Sequence, residues 1–254
     1  MNTKPDNIHR LLKRAVKSQL EIGTSEIIIN RNSGKSHINK CDGQTDVLSI
    51  TSEAELFNEY DTSTLGEPEF DSLEAHYDKI CNCQKCPLGK TRNKFVYGVG
   101  NPNADLVFIG EGPGRDEDLQ GEPFVGRAGK LLDKILEAIK FTREDIYITN
   151  MVKCRPPENR DPLPEEMEAC NPYLIEQLRL IKPKLICALG RVAAQRLLQT
   201  KTPLGKLRGH WHNFMGAEVL VTYHPAALLR FQAYKRDTWE DMKKLRVRYD
   251  EVTK

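Results

Sequence analysis

Cys83 and Cys86 stand two residues apart on a short polar turn, which is the spacing of a metal clamp, because both thiolates can then reach one centre. Two more cysteines belong with them. Cys154 follows an apolar run, and Cys170 comes after it with 15 residues between. The stretch RPPENRDPLP lies in that gap, and its prolines forbid a continuous helix. A long loop of this kind is kept ordered if a metal ties both of its ends. Cys81-x-Cys83 is a second possible clamp. It ranks lower because Pro87 and Leu88 follow Cys86 and close a compact C-x2-C-P-L turn. Four thiolates suit zinc or a 4Fe–4S cluster, and spacing does not separate the two. Cys187 sits in an apolar run and reads as a small core residue, while Cys41, in a polar stretch, reads as a free thiol. An odd total of seven cysteines argues against a disulfide framework.

A second group has the chemistry of a ligand site. Gly110-Glu111-Gly112-Pro113-Gly114 follows an apolar run, and its glycines let backbone N–H groups approach a bound molecule. No Gly-Lys-Ser/Thr follows, so it is not a nucleotide phosphate loop, and Pro113 breaks the dinucleotide fingerprint. Glu111 and Glu117 flank the turn, where carboxylates orient water or stabilise a cation; the plain alternative is a solvated acidic turn. Phe124 brings a ring to the same loop, either as core or as a platform for a flat ligand. Asn150 ends an apolar run, and its amide offers the donor and acceptor that match a pyrimidine edge; a turn-forming Asn is the alternative. His224 ends another apolar run before Pro225 and the segment Ala226–Arg230. That suits a donor to a leaving group beside an apolar wedge, although a single His is more often structural.

These residues need a frame that brings distant loops together. Four short apolar runs, 106–110, 146–150, 185–189 and 219–223, read as buried parallel strands. Between and after them, helical patterns occupy 128–139, 164–181, 191–198 and about 238–248. Alternation of this kind predicts an α/β domain whose parallel sheet is covered on both faces. In such sheets the ligand crevice lies off the carboxyl ends of the strands, and every candidate residue follows a strand there.

The folded part is expected to span 73–254. Residues 1–72 read as an arm: a basic amphipathic helix over 8–20, then a polar linker too poor in apolar residues to fold. Charge is uneven, with net +5 over 1–40, −10 over 41–75 and +7 over the rest. A basic domain behind an acidic segment fits a polyanionic partner. No apolar run is long enough to span a membrane, and the first residues do not have the pattern of a secretory signal, so a cytoplasmic protein is expected.

Taken together, the motifs resemble the family 4 uracil-DNA glycosylases. The resemblance covers about 80–248 and rests on C-x2-C-x-L-x3-R (Cys83, Cys86, Leu88, Arg92), GEGPG, PFVG, ITN-x-VKCRPPENR, Cys170-x-Pro-Tyr and HPAALLR, in that order. The family 5 type lacks the acidic residue that Glu111 supplies. The relatives that cross-link to DNA carry a basic, histidine-containing insertion where RPPENR stands here.

The resemblance implies a three-layer αβα sandwich with a four-stranded parallel sheet. It implies a structural 4Fe–4S cluster on Cys83, Cys86, Cys154 and Cys170, and it implies base excision repair of uracil-containing DNA, single- or double-stranded, by a monomer. On this reading Phe124 stacks on the flipped uracil and Asn150 reads its N3/O4 edge. His224 donates toward O2, and Glu117 positions water or balances the sugar's charge. Glu111 and the Gly112 backbone hold the base. Arg155, Arg160, Lys206, Arg208 and Arg230 are phosphate contacts, and Leu228 or Leu229 is the wedge. Two rival classes remain to be weighed: an inactive DNA-binding module of a replication assembly, and a redox protein that uses the cluster for electron transfer.

Overall fold

The computed structural model describes residues 67–254; the helix expected over 8–20 and nearly all of the expected linker lie outside the described residues. Helices α1 (Leu73–Ile80) and α2 (Leu88–Thr91) precede a two-residue strand β1 (Val99–Gly100) and strand β2 (Leu106–Gly110). Next come α3 (Arg115–Gln120), α4 (Arg127–Ala138), β3 (Tyr147–Asn150), a 3-10 turn (Pro157–Asn159), α5 (Pro164–Ile181) and β4 (Leu185–Leu189). The chain closes with α6 (Arg191–Leu197), α7 (Leu204–Leu207), β5 (Trp211–Phe214), β6 (Ala217–Thr222), α8 (Pro225–Arg230) and α9 (Tyr234–Val252).

The four expected strands are the parallel centre of a six-stranded sheet of order β1-β3-β2-β4-β6-β5. Each is buried on both faces, which is why each reads as an unbroken apolar run. Alternate residues sort into two layers. Val107, Ile109, Ile186, Ala188, Val219 and Val221 pack with Leu174 and Leu178 of α5 and Ala193 and Leu197 of α6. Leu106, Phe108, Ile148, Leu185, Cys187 and Leu220 pack with Leu132 and Leu136 of α4 and Met242 and Leu245 of α9. Cys187 is therefore a core residue, as its setting implied. Each such side chain contributes roughly 1.5–3 kcal/mol of burial.

The sheet has two strands more than expected. Both are antiparallel edges: β1 pairs with β3, and β5 pairs with β6. A two-residue strand leaves no periodicity to read. The β5–β6 hairpin turns through Met215 and Gly216, both at positive φ (53° and 80°), a conformation that the pair Asn-Gly usually announces and Met-Gly does not. Helix α9 also begins before and ends after its expected span, because its flanks are mostly charged and carry few apolar residues to extend the period. The fold begins before Leu73, since the amides of Glu69 and Phe70 donate to Glu176 Oε1 at 2.6 and 3.2 Å. Among the described residues no helix is long and apolar enough to cross a membrane.

The chain runs from β2 outward to β3, then crosses to the other side of β2 to form β4. That reversal places a crevice at the carboxyl end of β2. The loop after β2 reaches it through Phe124, held at φ +56°. This backbone path depends on Gly129 in α4, where a Cβ would stand 1.7 Å from the Phe124 carbonyl oxygen. Gly129→Ala should therefore destabilise the domain by about 1–3 kcal/mol, lowering Tm by several degrees in calorimetry; an unchanged Tm would show that the loop yields freely.

Candidate active site and cysteine centre

A cleft of about 440 Å³ opens at the carboxyl ends of the parallel strands. It gathers Glu111, Gly112, Glu117, Phe124, Asn150 and His224, so six sequence-expected residues from three separate stretches of chain, 111–124, 150 and 224, meet in one place. Arg160 and Arg230 reach its rim.

Asn150 ends β3 and is 2 % exposed. Its Oδ1 is buried and has no hydrogen-bond partner within the protein. Leaving such an acceptor unpaired costs about 1–3 kcal/mol unless a ligand supplies the donor. Gly110 faces it across the strand pair: a Cβ there would come within 2.4 Å of Asn150 Oδ1 and 2.7 Å of the Phe124 ring. Only a residue without a side chain leaves room for both.

Sequence reasoning missed the group that fixes Asn150. Lys153 is 0 % exposed, yet its ammonium donates to the Asn150 carbonyl at 2.9 Å, to Thr149 Oγ1 at 2.5 Å and to Gln177 Oε1 at 2.5 Å. Burial pulls its pKa down to about 7. Gln177 in turn donates to the Tyr97 carbonyl and the Tyr147 hydroxyl. Lysine in a loop normally reads as a surface residue, and only its place between Asn150 and Cys154 hints otherwise.

His224 is the N-cap of α8, and its Nδ1 accepts from the Ala226 amide at 3.1 Å. A nitrogen that accepts carries no proton, so in the neutral ring the proton sits on Nε2. Burial, aided by the Arg230 charge, holds the pKa down near 4. Gly190, at φ +90°, leaves space for the ring, since a Cβ there would meet His224 Cβ at 2.9 Å. The Phe124 ring lies 5.4 Å away, tilted by 32°.

The two carboxylates differ in setting. Glu117 lies in the first turn of α3, and its Oε1 accepts from the amides of Val125 and Gly126 at 3.0 and 2.9 Å. It thereby ties α3 to the loop that carries Phe124. Its Oε2 lies beside Gly114, where a Cβ would crowd it at 2.7 Å. Glu111 is pushed up to about 7, first by burial and then by nearby Asp161.

The expected rim residues are placed unevenly. Arg160 makes a two-pronged ion pair with buried Glu166 at 2.7 and 2.9 Å, and Arg208 is bound to Asp241 at 3.0 Å. Arg155 donates to Asn159. Lys206 is exposed on α7. Of the two wedge candidates Leu228 is 1 % exposed and faces the interior, and Leu229, at 39 %, is the one that solvent reaches.

The four cysteines meet on the far side of Lys153. Cys154 and Cys170 are buried with Ile80, Leu88, Phe95, Tyr97, Val152 and Tyr173, and Cys83 and Cys86 pack against this group. All four are free thiols. Two sulfurs already accept hydrogen bonds: Cys154 from Arg92 Nη1 and Cys83 from the Tyr173 hydroxyl, both at 3.2 Å. Arg92 also spans the carbonyls of Cys81 and Cys83, closing the turn. Cys81 points its thiol at the Asp78 carbonyl instead. Among the described residues, no three Cys, His, Asp or Glu side chains converge tightly enough to hold a single metal ion.

The family model described as the uracil DNA glycosylase superfamily matches residues 97–243. The type-4 uracil-DNA glycosylase of Archaeoglobus fulgidus is 46 % identical over 183 residues, covering 69 % of this chain and 92 % of its own. The type-4 uracil-DNA glycosylase of Saccharolobus solfataricus is 44 % identical, covering 69 % and 86 %. That of Sulfurisphaera tokodaii is 42 % identical, covering 69 % and 84 %.

Two outcomes test the site's electrostatics. At pH 6, histidine 15N NMR should show His224 as the neutral Nε2–H form, because its pKa lies near 4; an imidazolium signal would contradict the capped geometry. Glu111, raised from 4.5 to about 7, holds a proton in the folded state that the unfolded chain has lost, so it lowers stability as pH rises through that window. Glu111→Gln should match the parent near pH 4 and exceed its stability above pH 7, by on the order of 1 kcal/mol, in thermal melts.

Proposed function

The chain belongs to the uracil-DNA glycosylase superfamily and is a DNA-repair glycosylase; from that premise we propose that uracil, flipped out of the strand, is read in the cleft by Asn150 and released by His224. The carrying observation is the unpartnered Oδ1 of Asn150. A buried acceptor requires a donor, and uracil offers one at N3. Cytosine presents a bare nitrogen there, so acceptor would face acceptor and both would stay unpaired.

The bond between C1′ of the sugar and N1 of the base breaks heterolytically, and its electron pair leaves with the base, spread toward O2. His224 Nε2–H donates a hydrogen bond to that oxygen. A neutral donor suffices, because the step stabilises charge without transferring a proton. Removing one such donor typically costs ~2.7–4 kcal/mol of barrier. Glu117, its Oε1 committed to two amides, turns its other oxygen to the cationic sugar or to the attacking water. Water adds to C1′ and loses a proton, leaving an abasic site and uracil. Phe124 stacks on the base, and Glu111 with the Gly112 backbone holds its edge. Arg155, Arg160, Lys206, Arg208 and Arg230 serve the phosphates in this reading, and Leu229 fills the gap the base leaves. A binding module without catalysis would have no use for a buried, unsatisfied amide beside a fixed imidazole.

The cysteine centre fits a 4Fe–4S cluster on Cys83, Cys86, Cys154 and Cys170. A cubane takes one thiolate per iron, so its ligands surround a volume rather than converge on one point. The donors from Arg92 and Tyr173 suit sulfurs that carry negative charge when they bind iron. The cluster's contribution would be structural, tying the loop after β3 to the turn between α1 and α2 and to α5. The protein acts as a monomer in the cytoplasm, and the arm ahead of the Glu69 and Phe70 amides that bond Glu176 is dispensable for the chemistry.

On a uracil-containing oligonucleotide the protein should leave alkali-labile sites. Asn150→Ala should slow single-turnover excision by more than about tenfold and barely change affinity for undamaged DNA, which rests on phosphate contacts. A parental rate from Asn150→Ala would remove the base-reading role. Cys170→Ala should lose iron and solubility together, whereas stoichiometric zinc in anaerobically purified protein would overturn the cluster.

A further inference from the structure

Beyond His224 the chain continues into Arg230–Arg236, a stretch with three basic and two aromatic residues and no acidic one. The structure assembles its rings into a ladder. Tyr223 and Tyr234 are stacked with centroids 4.1 Å apart and planes 5° apart. The Arg208 guanidinium lies over Tyr223 at 5.5 Å, and Phe231 packs on Tyr234 at 5.5 Å with a 50° tilt. One end of the ladder is fastened, because Arg208 is bound to Asp237 and Asp241. The other end is open: Phe231, the C-cap of α8, is 52 % exposed.

That open end adjoins the cleft. Arg230, its chain neighbour, lines the cleft, and the same six-residue helix starts at His224. Lys235 and Arg236 are exposed within one turn of the following helix. An exposed aromatic face with basic residues close by in the chain is what a strand of unpaired nucleotides binds, with bases on the ring and phosphates on the charges.

We infer that Phe231 is a stacking platform for a nucleobase adjoining the extruded uracil on the same strand, with Arg230, Lys235 and Arg236 meeting that strand's phosphates. The inference rests on the cleft being the uracil site. It gives Phe231 a role distinct from that of Leu229, whose aliphatic side chain has no flat face to offer a base.

Full-length protein would be titrated by fluorescence anisotropy with a short single-stranded oligonucleotide carrying an uncleavable 2′-fluoro deoxyuridine. Phe231→Ala should weaken binding by about tenfold, and Phe231→Trp should restore it. Repeating the titration with an abasic spacer 5′ and then 3′ of the uracil locates the partner. On one of the two strands the parent should fall to the level of Phe231→Ala, and the substitution should have no further effect there. An unchanged affinity for Phe231→Ala, or an equal loss on both spacer strands, would overturn the platform. Excision of ordinary uracil by the parent is read separately: its failure would count against the cleft's assignment, and loss of the Phe231 effect alone against the platform.

Discussion

The buried ammonium of Lys153 is the interaction on which both centres depend. Taking a cation out of water is costly, and here three oxygen acceptors offset that cost without any carboxylate. One acceptor is the backbone of Asn150; another belongs to α5, the helix that carries Cys170. The next residue along the chain is Cys154. A single side chain therefore holds the end of β3, the start of the proline-rich loop and the cysteine centre in fixed relation. Asn150 can keep an unsatisfied oxygen because its backbone is held by neighbours that do not touch that oxygen.

Much of this was legible in the sequence. Buried parallel strands announce themselves as apolar runs, and the residues after them must share one crevice, so the sequence alone groups Glu111, Phe124, Asn150 and His224. What stayed hidden follows from the same physics. Edge strands β1 and β5 are too short or too polar to show a period. Lys153 is indistinguishable in sequence from a solvated lysine, since only three-dimensional packing removes its water. The commitments of Arg160 to Glu166 and of Arg208 to Asp241 join residues 6 and 33 positions apart, which no local pattern reports. Leu228 and Leu229 are adjacent and chemically alike, and only the rotation of α8 decides which one faces outward.

The two carboxylates show how one loop produces two behaviours. Glu117 is held in place by two backbone N–H groups, whereas burial and nearby Asp161 drive Glu111 toward protonation. The glycines between them are not interchangeable. Gly112 exposes backbone beside the cleft, while Gly114 clears space for the oxygen of Glu117 that its amide bonds leave over.

His224 is at once a wall of the cleft and the cap that starts α8. Shifting the imidazole would uncap the helix, and moving the helix would carry the imidazole with it. Its far end bears Leu229, which solvent reaches, and Arg230, which lines the cleft. The short helix thus works as a rigid lever with its fulcrum in the protein: under the proposed function, pressure from a strand at one end would be felt as displacement of the hydrogen-bond donor at the other. Grip on the strand and placement of the imidazole would then be geared into a single motion.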